Sequence, residues 1–367
     1  MPYQHLLSGN LPPTANLGVI EGFFGKGWSW QARASYAQWL PRHGYGFYIY
    51  APKEDGYLRK HWAEPWPEQQ LADLAQLAQQ CRAHGLAFGV GLSPMGAHHD
   101  YQRQRPALLA KVRLIDDALQ PDILAVLFDD MKGDTPDLAY QQLTIAHDIA
   151  AHSKAKRLIF CPSYYSTDPV LEKVFGAMPH HYLQDLGQQL DRRIEIFWTG
   201  PKVCSNEYPV PHLEQVTTLL GRQPFLWDNY PVNDGSKASN YLHLRAFEHR
   251  PAELAQWVSG HAVNPMKQAA LSALPLATLP MSYRLGKQYD PDKARHTALH
   301  ATCGPQIAAM IEADLPLFQD LGLAQLTPEQ ISALTTRYLP FRDQPCVAEI
   351  VRWLAGEYVF DPDCLTD

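Results

Sequence analysis

A chain of 367 residues exceeds one average domain but suits a single α/β barrel of typically ~250 residues with an appendage. With 46% hydrophobic residues, 19% charged residues and 9 Trp, the composition is globular and excludes a disordered chain. A net charge of −7 with no basic block excludes a phosphate-backbone ligand, so nucleic acid is not an expected partner.

Cysteine usage and the amino-terminal stretch narrow the setting. Cys81, Cys161, Cys204, Cys303, Cys346 and Cys364 are scattered without paired spacing, so they read as reduced, mostly buried thiols rather than a disulfide framework or a zinc knuckle. Met1 to Leu7 has neither a basic region nor an apolar run of signal length, and nothing later approaches a membrane span. A cytoplasmic protein with no membrane contact is the expectation.

From residue 17 to about 266, short apolar runs alternate with longer amphipathic or Ala/Leu/Gln-rich stretches, the rhythm of βα units. The predicted strands are Leu17–Phe24, Gly46–Ala51, Ala87–Leu92, Ile123–Phe128, Arg157–Cys161, Ile194–Trp198, Pro224–Trp227 and His261–Asn264. Helices are predicted near Trp30–Pro41, Pro67–His84, Gln104–Leu119, Leu138–His152, Tyr182–Leu190, Pro211–Leu219 and Pro251–Val258, with Pro67 and Pro211 in first turns, where a missing N–H costs nothing. Eight strands are the count of a closed parallel barrel. Met266–Leu279 still reads as helix, Tyr283–Tyr289 as a link, and then short helices follow around Asp292–Thr302, Pro305–Leu315, Pro328–Tyr338 and Val347–Tyr358. The fold class expected is therefore α/β, a (β/α)8 TIM barrel followed by a small C-terminal helical region. Its divisions are an extension over 1–14, the barrel over 15–288 and the helices over 289–367, the last packing on the barrel or forming a homodimer contact.

Unusual side chains collect after the same ends of these strands. They include Glu21-Gly22-Phe23-Phe24, Lys53-Glu54-Asp55, Asp129-Asp130, Ser163-Tyr164-Tyr165, Trp198-Thr199-Gly200, Trp227-Asp228-Asn229 and Asn264. The C-terminal rim of a parallel barrel hosts its chemistry, so these residues are expected around one mouth. The most telling stretch is Ile123 to Phe128, a buried parallel strand by its continuous apolarity, running straight into Asp129 and Asp130. Asp is a poor strand residue, and two together need a compensating role.

Metal and nucleophile chemistry are poorly supported by spacing. His98-His99-Asp100 and His180-His181 lack the i, i+4 spacing of a helical zinc pair and read as surface histidines, so no metal and no cofactor is expected. There is no Gly-x-Ser-x-Gly elbow, and Cys161 and Cys204 carry no local sign of activation. Carboxylate chemistry on a sugar fits better. Adjacent residues of a strand point to opposite sides, so Asp129 and Asp130 flank a scissile bond as an ordinary acid/nucleophile pair only where the chain bends. They suit a division in which one carboxylate holds a group of the substrate that itself attacks while the other is acid and base. The 2-acetamido group of an N-acetylhexosamine is such an internal nucleophile. Trp198, Trp227, Tyr164 and Tyr165 can wall a sugar pocket, and Asn229, Asp234 and Asn264 can serve its hydroxyls.

Taken together, Gly18 to Gly25, Tyr48 to Lys53, Leu127 to Asp130, Cys161 to Tyr165, Trp198 to Val203 and Leu226 to Asn229 resemble, in order, the motifs of glycoside hydrolase family 84, the O-GlcNAcase and hyaluronidase-like group. The resemblance covers roughly residues 15 to 285. It implies a retaining exo-β-N-acetylglucosaminidase that acts on β-linked N-acetylglucosamine conjugates, glycoprotein or oligosaccharide, through an oxazoline intermediate. It further implies that Asp129 orients the acetamide N–H and Asp130 is general acid, then base. Tyr165 would bond near the oxazoline, Trp227 would line the acetamide pocket, and Gly22, Lys53, Asn229, Asp234 and Asn264 would bind the sugar. The chain departs from the family pattern at Phe24, where Tyr is frequent, and at Tyr164, where Glu is frequent. The alternatives are an endo-acting hyaluronidase-like hydrolase, a carbohydrate-binding barrel without turnover and, as a poorer third, a metal-dependent barrel hydrolase.

Overall fold

The computed structural model describes residues 16–133, 135–358 and 360–366. The expected extension over 1–14 lies outside them. Eight strands form one closed barrel in sequence order: β1 (Leu17–Glu21), β2 (Phe47–Tyr50), β3 (Ala87–Leu92), β4 (Ile123–Leu127), β5 (Arg157–Cys161), β6 (Ile194–Trp198), β7 (Phe225–Asp228) and β8 (Gly260–Val263). Every pairing is parallel, and β8 closes on β1 with Leu17 opposite His261 and Val19 opposite Val263. The continuous apolar runs are explained by burial on both faces, inside by the barrel and outside by the helices.

The barrel is filled by a stack of rings. Phe47 meets Phe225 edge-on at 5.8 Å, Phe225 meets Phe197 at 5.1 Å, and Phe197 meets Trp227 at 5.2 Å. Two glycines make room for the stack. A Cβ on Gly18 would lie 2.1 Å from the Phe47 ring, and one on Gly22 would lie 2.5 Å from Trp227. The stack therefore ends in an indole at the level of the loop after β1.

Around the strands run α1 (Trp30–Arg42), α2 (Glu68–Ala83), α3 (Tyr101–Leu119), α4 (Leu138–His152), α5 (Val170–Phe175), α6 (Tyr182–Gln189), α7 (Val210–Leu220) and α8 (Ala269–Leu285). The six-residue α5 was not expected from sequence, being too short for an amphipathic signature before Gly176 stops it at φ 96°. Pro251–Val258, expected as a helix, is only a 3-10 turn over Ala252–Gln256, because β8 begins four residues later. The first strand ends at Glu21 and the fourth at Leu127, both earlier than expected.

Helix α8 belongs to both sides of the molecule. Ala273, Leu276 and Leu279 pack on the barrel, whereas Leu271 and Leu274 join a second apolar cluster with Leu299, Ile311, Phe318, Val347 and Trp353. That cluster is built by α9 (Pro291–Leu315), α10 (Pro328–Tyr338) and α11 (Pro345–Leu354). Thr327 caps α10 in a reciprocal box with Gln330. Within α9, Gly304 takes φ 74° and ψ 165°, which breaks the helix between the two arms anticipated there. No described helix is long and apolar enough to cross a membrane.

Candidate active site

Strand β4 delivers its payload by bending. Its last paired residue is Leu127, and Asp130 then adopts a left-handed φ of 59°, a conformation Asp tolerates better than most residues. The alternation of a strand is thereby lost. Both carboxylates come to one ammonium, that of Lys53 from the loop after β2: Asp129 pairs through Oδ2, and Asp130 lies 3.4 Å away. The strand therefore bends here, the condition under which the sequence argument allowed two adjacent carboxylates to face one site.

The three side chains are deeply placed, 3% exposed for Lys53, 7% for Asp129 and 12% for Asp130. Burial works against the Lys53 ammonium, but Asp129 and Asp130 outweigh it and hold its pKa above the ordinary lysine range. Burial is also the largest influence on Asp130. The neighbouring ammonium pulls the other way, Asp129 adds repulsion, and the net result is a carboxyl raised above its usual value. The like charge of Asp129 is thus subordinate to desolvation. Tyr165 donates its hydroxyl to Asp130 Oδ1 at 3.1 Å. Asp129 Oδ1 is buried and accepts nothing from the described residues, a cost that a donor brought by a ligand would relieve.

The opposite wall is a chain of amides. The Trp227 indole N–H donates to Asn229 Oδ1 at 3.0 Å, Asn264 Nδ2 donates to the same oxygen at 3.0 Å, and Gly22 N–H donates to Asn264 Oδ1 at 3.2 Å. Asn229 Nδ2 in turn donates to the Val203 carbonyl at 2.9 Å. Asp234 accepts from the Phe24 N–H at 2.7 Å, and burial pushes its carboxyl up to about 6. All nine residues singled out from the sequence, Gly22, Lys53, Asp129, Asp130, Tyr165, Trp227, Asn229, Asp234 and Asn264, line one cavity.

Other rim residues do not reach it. Trp198 is fully buried with its indole N–H on His212, and Tyr164 is buried with its hydroxyl on the Gly176 carbonyl at 2.7 Å, so neither walls the pocket. Glu21 turns into the wall of the barrel against Arg33 and Tyr48. Asp228 is held by Arg250 and His261, which overcome burial and keep its carboxyl well below the usual range. These are structural groups one residue away from ones that line the cavity. Alternation along the strand hides the difference from a motif. Cys161 does border the cavity, but burial pushes its thiol well up, away from a thiolate. His98, expected on the surface, is buried, and that burial lowers its imidazole to about 4.

A contribution invisible in the sequence comes from residues 360–366. Asp363 pairs with Lys60 and lies 3.7 Å from Arg59, whose guanidinium sits 4.9 Å from the Phe24 ring. Cys364 and Thr366 thereby join the cavity wall, with the Thr366 side chain bonded to Tyr165. No periodicity or motif could have signalled contacts across some two to three hundred residues.

Known proteins carry the same plan. Residues 17–315 match the family described as beta-N-acetylglucosaminidase, NAGidase. Protein O-GlcNAcase of Rattus norvegicus is 29% identical over 278 residues, which cover 73% of this chain and 30% of that protein, and the Mus musculus protein matches equally. The match thus spans under a third of these relatives. Among solved structures, a mutant O-GlcNAc hydrolase of Thermobaculum terrenum superposes with a TM-score of 0.73 at 29% identity, covering 93% of this chain and 74% of that one. CpGH84B shares the fold with a TM-score of 0.72 at 24% identity, over 94% and 59% of the two chains. A family match over most of the chain, with an eight-stranded barrel presenting paired carboxylates at its mouth, means that the protein belongs to glycoside hydrolase family 84, the beta-N-acetylglucosaminidase family.

Proposed function

We propose that this protein is a retaining exo-β-N-acetylglucosaminidase that uses the 2-acetamido group of its substrate as the nucleophile. The observation that carries the reading is the convergence of Asp129 and Asp130 on one ammonium in a pocket floored by Trp227. Asp129, with one carboxylate oxygen lacking a donor, accepts the acetamide N–H and turns the carbonyl oxygen toward C1. That oxygen forms a bond to C1 as the bond from C1 to the aglycone oxygen breaks. Asp130, whose acid form burial favours, passes its proton to the departing oxygen. Asp129 then offsets the positive charge of the oxazolinium. Water attacks C1 from the face the aglycone left as the bond from C1 to the amide oxygen breaks and restores the acetamide, Asp130 takes the proton of the water, and the β-anomer is released.

The remaining groups position the sugar. Trp227 faces the acetamide methyl, Tyr165 steadies Asp130 and the attacking oxygen, and Lys53 limits the net charge of the carboxylate pair. Gly22, Asn229, Asp234 and Asn264 supply donors and acceptors for hydroxyls and the acetamide. Cys364 and Thr366 on the cavity wall favour exo over endo action, because an endo-acting site needs an open cleft through which the polymer passes. The substrates proposed are conjugates with terminal β-linked N-acetylglucosamine, on a protein or an oligosaccharide.

Hydrolysis of 4-nitrophenyl β-N-acetylglucosaminide, followed by proton NMR of the first-formed sugar, tests the reading. The β-anomer is expected first. The α-anomer, or no turnover, would reject it.

A further inference from the structure

Outside the barrel, one cluster has the chemistry of a metal site. His296 and His300 stand one turn apart on the first arm of α9, and Glu312 stands on the second arm beyond the Gly304 break. The break lies eight positions after His296 and eight before Glu312, and the arms approach closely enough for His296 Nδ1 to meet Glu312 Oε1 at 3.0 Å. A candidate ligand atom from each of the three residues lies within 4.8 Å of the other two. Two imidazoles at i, i+4 on one helical face form the geometry by which helices grip zinc, with a carboxylate as a normal third ligand.

We propose that His296, His300 and Glu312 form a divalent-metal site, suited to Zn²⁺, that fastens the two arms of α9 to each other across Gly304. Ligands of a tetrahedral ion sit about 2.0–2.2 Å from the metal. Closing the present spread onto an ion therefore requires only side-chain rotation of one to two ångströms. His296 is 59% exposed on its side chain and Glu312 is 28% exposed, so an ion enters from solvent and keeps water in its remaining positions. An exposed His–Glu pair by itself is worth little to stability, and nothing in such a pair calls for a second imidazole one turn away, with its ring 4.1 Å from the first. The donor set, two nitrogens and one carboxylate, favours Zn²⁺ over Mg²⁺, which prefers oxygen ligands. Helix α9 packs along α8, the helix that follows β8, so a staple at this point stiffens the support of the barrel without touching the substrate cavity. The expectation of no metal from the sequence overlooked the i, i+4 spacing of His296 and His300. Glu312, brought back by a break at a single glycine, was not legible there.

The test uses the whole protein, stripped with a chelator and titrated with ZnCl2 at pH 7.5 by calorimetry, alongside His300→Ala and Glu312→Gln. One equivalent is expected to bind and, at about 100 times its Kd, to raise the melting temperature by roughly 2–5 °C. Loss of a group that merely supports a metal ligand already costs about 10–100-fold in affinity. Each variant should therefore bind Zn²⁺ at least tenfold more weakly while keeping the metal-free melting temperature and the hydrolytic rate. Mg²⁺ should give no shift. Absence of Zn²⁺ binding to the unaltered protein, or equal binding by His300→Ala, would overturn the proposal.

Discussion

Replacing Asp130 by Asn isolates proton transfer from everything else that carboxyl does. The two side chains are nearly isosteric, and the amide oxygen can still accept the Tyr165 hydroxyl now 3.1 Å from Oδ1. What disappears is the transferable proton, together with the attraction to Lys53 3.4 Å away. Altered electrostatics act on every substrate alike, so they cancel when two leaving groups are compared on the same variant. The proton does not cancel. General acid catalysis contributes ~10²–10⁴-fold, or about 3–5 kcal/mol of barrier. An alkyl aglycone, such as a GlcNAc-modified serine peptide, should lose all of it, whereas 2,4-dinitrophenoxide leaves without a proton. The assay is kcat/KM for both substrates with the parent and Asp130→Asn. The ratio between substrates should widen by at least about 100-fold. Asp129→Asn should instead slow both by a similar factor, about 10²–10³, because it removes charge stabilisation that every leaving group needs. Equal losses on both substrates for Asp130→Asn would refute the role of acid.

Other perturbations probe different links in the account. The acid form of Asp130 is favoured by burial, so kcat/KM for alkyl substrates should fall as pH rises through a value above the ordinary carboxylate range; Asp130→Asn should abolish that limb, and a limb that persisted would belong to another group. Gly22→Ala would put a Cβ 2.5 Å from Trp227, so activity should drop steeply while circular dichroism stays that of the parent. Asp228→Asn breaks a buried cluster with Arg250 and His261 and should cost about 3–5 kcal/mol in urea denaturation; a change under 1 kcal/mol would contradict that reading. Glu349 accepts from the N–H groups of Ala270 and Leu271, yet burial lifts its carboxyl to about 7. Because its native pKa is raised, its contribution is full below about pH 4.5 and lost as pH rises through about 7. The melting temperature of Glu349→Gln should therefore change less than that of the parent across this window, and equal slopes would count against it.

How much of this was legible in the sequence follows from which interactions are local. Strand β4 was plain because burial on both faces leaves no polar interruption between Ile123 and Phe128. Eight of the nine pocket residues, all but Asp234, were placed together because barrel strands deliver their last residues and those that follow to one rim. Direction at that rim was not legible. Glu21 and Gly22 are neighbours, yet one side chain enters the wall beside Arg33 while the other position opens space for Trp227. Similarly, Asp228 and Asn229 part company because Arg250, twenty-two positions away, claims the first. Tyr164 and Trp198 looked like pocket aromatics, but packing claimed both. Contacts set by long loops, such as Asp363 on Arg59 and Lys60, have no pattern for a sequence to carry.

The claim on which the mechanism turns is that the sugar's own amide displaces the aglycone. Fluorinating the N-acetyl methyl group lowers the nucleophilicity of the amide oxygen stepwise without removing the group. Across 4-nitrophenyl glycosides bearing acetyl, fluoroacetyl, difluoroacetyl and trifluoroacetyl amides, kcat should fall with each fluorine, by orders of magnitude over the series. A kcat that stays level would mean that a protein side chain or water attacks C1, and would contradict the account.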